Sequence, residues 1–99
     1  MPITRSFKGG RKTVTAAGTA EKLSSTSIPV HWVRITAEED QEKSVAIGGS
    51  DLKAKAAERN GYPLAKGEDL ELKDINLNQI YVDAETSGDG VTFIYSLSE

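Results

Sequence analysis

The chain predicts an all-β fold, a single small antiparallel β-sandwich or barrel, jelly-roll-like, of about seven or eight short strands. Three observations carry this. Runs rich in β-branched and aromatic residues recur, clearest in Val30-His31-Trp32-Val33-Arg34-Ile35-Thr36, Gln79-Ile80-Tyr81-Val82-Asp83 and Val91-Thr92-Phe93-Ile94-Tyr95. Turn residues close each run, as in Glu85-Thr86-Ser87-Gly88-Asp89-Gly90, which is the spacing of sandwiches and barrels. The length, 99 residues, makes one domain with a thin core.

Residues 1–11 read as a flexible basic N-terminal arm, because Gly9-Gly10 is costly to fix and Ile3 and Phe7 are its only large apolar anchors. The sandwich domain is then 12–99. Residues 12–16 and 20–24 are expected as two short strands around Ala17-Gly18-Thr19, a hairpin. Pro29 opens the next strand or sits at an edge, since it lacks the N–H donor. That strand runs to Thr36, and its apolar set shifts phase from Val30 and Trp32 to Val33 and Ile35. The shift means either a bulge or a strand covered on both faces. Residues 37–42 are an acidic loop. Residues 43–48 alternate, with Val45 and Ile47 inward, and end at Gly48-Gly49.

Residues 51–59 hold good helix formers, but Leu52 is their one large apolar side chain. A loop with at most a turn or two of surface helix is expected there. Residues 60–67 read as turns. Residues 69–74 alternate with Leu70 and Leu72 inward, and Ile75 and Leu77 lead into a strand at 79–84 whose partner is 90–96.

Charge excludes some functions. The net charge is −3, from 12 basic and 15 acidic residues. Residues 1–12 hold Arg5, Lys8, Arg11 and Lys12 and no acid, so the body is acidic. An acidic body does not suit a nucleic-acid partner, whose phosphates need clustered cations. The basic arm instead suits an acidic partner surface. No apolar stretch approaches the length of a membrane span. With no cysteine and one histidine, a zinc site lacks ligands.

The candidate sites reduce to surface. His31 lies in a strand with no nucleophile elbow anywhere, so it reads as a structural residue. Asp83 to Gly88 starts like a calcium loop, but Ile94 stands at the twelfth position where a bidentate Glu is needed. Gly88 and Gly90 are read as residues allowing positive φ in a hairpin turn. No catalytic residue, cofactor or metal is expected, and the chain reads as no enzyme. Trp32 and Tyr81 fall on the faces opposite Val33 and Val82, where they serve as subunit anchors in preference to a sugar platform. Self-association through a face holding one of them is the expectation.

The run Thr13-Val14-Thr15-Ala16-Ala17-Gly18-Thr19-Ala20, then Leu23-Ser24-Ser25 and Pro29-Val30-His31-Trp32-Val33-Arg34-Ile35, resembles small β-sandwich structural proteins of tailed-bacteriophage virions. Ile47-Gly48-Gly49-Ser50, Asn60-Gly61-Tyr62-Pro63-Leu64 and Leu77-Asn78-Gln79-Ile80-Tyr81-Val82-Asp83 with Gly88-Asp89-Gly90-Val91-Thr92 fit as well. Residues 51–59 look longer and more charged than that pattern. The resemblance implies a capsid decoration or cement protein on the virion surface, or else a tail, fibre or baseplate component. It implies a homo-oligomer, a trimer, seated on the major capsid protein. Arg5, Lys8, Arg11, Lys12, Trp32 and Tyr81 are the expected interface residues. The alternative from another class is a carbohydrate-binding module for a host surface.

Overall fold

Alternation of apolar and polar residues puts one face of each strand toward a common core. In the computed structural model, which describes residues 7–39, 43–53 and 60–97, eight strands use this alternation. They are β1 (Phe7–Thr13), β2 (Glu21–Lys22), β3 (Pro29–Ala37), β4 (Val45–Gly48), β5 (Tyr62–Leu64), β6 (Asp69–Asn76), β7 (Tyr81–Ala84) and β8 (Gly90–Leu97). A 3-10 turn over Leu77–Gln79 precedes β7.

The strands form two four-stranded antiparallel sheets, sheet A in the order β1-β8-β3-β6 and sheet B in the order β2-β7-β4-β5. The pairs β1·β8, β2·β7, β3·β6 and β4·β5 are the rungs of one long hairpin with its tip between β4 and β5. Rolling that hairpin sends alternate rungs to opposite sheets, which is the jelly-roll arrangement. The all-β sandwich expected from the sequence is therefore the fold.

The roll corrects several local expectations. β1 and β2 are not a hairpin: they lie in different sheets. The strand at 81–84 is not paired with 90–97 either, because β7 pairs with β2 and β4 while β8 pairs with β1 and β3. Residues 85–89 instead carry the chain across from sheet B to sheet A. Gly88 does hold a positive φ of 99°. Gly90 does not; there a Cβ would meet the Lys12 carbonyl oxygen and Thr13 Cα, so glycine is needed for the close approach of β1. Residues 62–64, read as a turn, form edge strand β5. The arm boundary also moves. Residues 7–11 belong to β1, paired in unbroken register from Phe7↔Ser96 to Thr13↔Gly90, because a seven-residue strand on a sheet edge needs no apolar alternation of its own when its backbone is paired. Residues 1–6, with Arg5, and the segment 54–59 of the candidate helix lie outside the described residues.

The phase shift in β3 is a bulge. Val30 pairs with Leu97 and Trp32 with Ser96, leaving His31 as the extra residue. Val30, Val33, Ile35 and Ala37 therefore all reach the core, where they meet Val91, Phe93 and Tyr95 of β8 and Val45, Ile47, Leu64, Val82 and Ala84 of sheet B. The Phe93 and Tyr95 rings stack with centroids 5.9 Å apart.

Candidate interaction surface

The ladder registers align the outward residues of sheet A in rows. Ser96, Trp32 and Lys73 form one row; Gly9, Ile94, Arg34 and Glu71 the next; Arg11, Thr92, Thr36 and Asp69 the third. Nothing among the described residues covers this face, and Ile94 is 48% exposed on it. Trp32 is half-buried, and its ladder neighbour Ser96 is 1% exposed with a hydroxyl that has no hydrogen-bond partner among the described residues. A shallow groove of about 410 Å³ runs over the face, lined by His31, Trp32, Arg34, Glu71, Lys73 and Ile94. Its walls are charged and paired: Arg34 lies 3.0 Å from Glu71 and 3.5 Å from Asp69. The hydrogen bond from Arg34 to Glu71, then the Asp69 and Glu71 charges, hold the guanidinium above its ordinary pKa. At the bulge, His31 Nδ1 lies 3.5 Å from Asp74 Oδ1, and Asp74 takes a left-handed φ of 51°, which Asp tolerates.

The outer face of sheet B is different. Ala46 and Leu52 are buried there, with Ala20 and Tyr81 packed against them. The 14–20 loop and the 49–53 segment lie over the strands. Asp83, 0% exposed, anchors the first: its Oδ1 accepts from the Gly18 N–H at 2.9 Å and from its neighbour Ala84 N–H at 2.9 Å. Ser87 Oγ accepts from Ala17 N–H at 3.0 Å. Asn60 anchors the second, accepting from Lys53 N–H at 2.6 Å and donating to the Asp51 carbonyl at 3.0 Å.

Each sequence-predicted residue now has a place. Trp32 is on the outer face of sheet A and Tyr81 on that of sheet B, so the structure does not bring them together. Lys8 stands on β1 in register with Tyr95, exposed. Arg11 and Lys12 are engaged inside the fold. Arg11 forks onto Glu38, with Nη2 3.2 Å from Oε1. Lys12 lies 2.8 Å from Glu21, an ion pair that joins β1 of one sheet to β2 of the other. Glu21 also accepts from the N–H groups of Thr15 and Ala16, each at 3.0 Å. Burial pushes the Glu21 carboxyl up, but the Lys12 hydrogen bond and charge with the Ala16 and Thr15 N–H groups outweigh it, leaving the carboxyl below its ordinary value. Asp89, from the calcium-like segment, accepts from Lys43 N–H at 3.0 Å. Among the described residues no group of three or more acidic or histidine side chains is placed to hold a metal ion.

Sequence reasoning missed Ile94, Arg34, Glu71 and Lys73. Ile94 had a signal: it alternates against Val91, Phe93 and Tyr95 and so points outward. The others needed the β3–β6 register. Comparison with known proteins adds no family: the chain matches no protein-family model, no curated protein and no solved structure.

Proposed function

We propose that this chain is a non-enzymatic structural protein of a bacteriophage virion, a capsid decoration or cement protein that seats the outer face of sheet A on the assembled head shell. The observation that carries this reading is the uncovered four-stranded face, with Trp32 and Ile94 amid paired charges, on a molecule whose other face is closed by its own loops. A half-buried Trp next to an exposed aliphatic side chain and an Arg is the composition of a protein contact. The jelly roll itself is shared by viral capsid and lectin domains, an analogy of fold that does not fix function. The mechanism is mass action: a protein that binds only the assembled shell stabilises it by RT ln(1 + [L]/Kd), and repeated sites add avidity.

Mass spectrometry of purified particles and empty shells tests this. The chain is expected in both, and shells should lose it when Ile94 is replaced by Glu. Finding it in tails alone makes it a tail, fibre or baseplate component; finding it only in the host cytosol overturns the reading. The groove beside Trp32 favours one second reading, a carbohydrate-binding module. In that case an isolated host glycan binds the protein and quenches Trp32 fluorescence, and shells do not.

A further inference from the structure

The two edges of sheet A carry opposite charge. β1 brings Lys8, Arg11 and Lys12 and no acid. β6 brings Asp69, Glu71 and Asp74 against the single cation Lys73, with Glu68 directly before it. Among the described residues β1 pairs with β8 alone and β6 with β3 alone. Each outer strand therefore presents alternate backbone N–H and C=O groups to whatever lies beside it. Every neighbour in the order β1-β8-β3-β6 is antiparallel, so β1 and β6 run in opposite directions. A second copy laid alongside, continuing the sheet, brings its β1 antiparallel to β6 of the first. β1 is regular, seven residues long and without proline.

We infer that copies of this chain associate head to tail by sheet extension, β1 of one copy against β6 of the next. The register that prolongs the existing rows sets Arg11 opposite Asp69 and Lys12 opposite Glu68 of the neighbour, with Gly9 opposite Glu71. Arg11 and Lys12 meet the opposite sign there, while Lys8 and Glu71 stand opposite the uncharged Leu72 and Gly9, and two β1 strands would instead set cation against cation. The contact is thus heterologous, which closes into a ring when the rotation permits. The internal pairs do not forbid it. The Arg11 side chain is largely exposed beside Glu38, and Asp69 is half exposed beside Arg34. Extension through these edges leaves the outer face of sheet A free on every copy and turned to the same side. The inference goes beyond the docking reading and does not depend on it, since purified protein alone tests it.

Light scattering should give a multiple of the 10.6 kDa chain mass at about 0.01 M salt, where the Debye length is about 30 Å, and a lower mass at about 1 M, where it is about 3 Å. Arg11→Glu and Asp69→Arg should each weaken association by about tenfold or more, and the double variant should restore it. A cysteine-free chain permits a second test that leaves the charges of β1 intact. A Cβ at Gly9 meets only ordinary contacts, so Gly9→Cys protein is mixed with Glu71→Cys protein and oxidised. The mixed dimer should exceed either homodimer. A strict monomer at low salt, association untouched by either reversal, or equal yields of mixed dimer and homodimers overturns the inference.

Discussion

The outer faces of the two sheets show two ways of finishing a sandwich. Sheet B is closed by its own loops, with Leu52 and Ala20 lying on Ala46 and Tyr81. Sheet A is left open, with Ile94 at its centre. The strands register the difference. In β4 and β7 adjacent residues are buried without alternation, as in Val45-Ala46-Ile47 and Val82-Asp83-Ala84, whereas β8 alternates strictly from Val91 through Ile94 to Tyr95. A strand covered on both sides reads as a continuous run, and one with a bare side alternates. The pattern thus says which sheet can meet a partner without first moving part of the protein.

Four substitutions would break or sharpen that contrast. Leu52→Ala removes the buried aliphatic side chain that closes the covered face, 2% exposed, and should cost about 2–5 kcal/mol in urea unfolding. A cost under about 1 kcal/mol would mean the 49–53 segment is not a true cover. Asp83→Ala leaves the Gly18 N–H without its acceptor and should cost about 1–3 kcal/mol. Amide exchange at Gly18 should accelerate with it, and should not in Asp83→Asn, which keeps an acceptor oxygen.

Glu21→Gln probes the joint between the sheets, with an expected loss of about 1 kcal/mol at neutral pH. Because the folded carboxyl titrates below its ordinary value, its contribution is whole above the unfolded value and disappears as pH falls through the folded one. The gap between wild type and variant should therefore close on acidification; a gap that widens reverses the sign. Ile94→Ala should move stability least, by no more than about 0.5 kcal/mol, while weakening capture on shells. Equal losses from Ile94→Ala and Leu52→Ala would erase the distinction between the faces.

The sandwich, most strand positions and the phase shift after Val30 were legible, because periodicity is local; that the shift is a bulge and not a strand covered on both faces is decided by the β8 register. What was not legible is pairing. Residues 85–89 look like a hairpin turn, and Gly88 has the φ of one, yet the roll sends β7 and β8 to different sheets. Among the described strands only β4 and β5 are both consecutive and paired. The surface split the same way. Trp32 was visible as an outward aromatic, but its row with Ser96 and Lys73 depends on strands far apart in sequence. Arg11 and Lys12 looked like a free basic arm because their partners, Glu38 and Glu21, become neighbours only after the roll closes.

The place of β8 between β1 and β3 sets an order of events in the cell. β1 is the first of the described strands to be made, but its one partner among them, β8, is the last. Until residues 90–97 emerge, sheet A lacks its second strand and β1 has nothing to pair with. Non-local pairing of this kind folds slowly and exposes strand edges meanwhile. The nascent chain therefore carries an unpaired, positively charged strand while the other described strands are made, and sheet A is completed only after β8 is released.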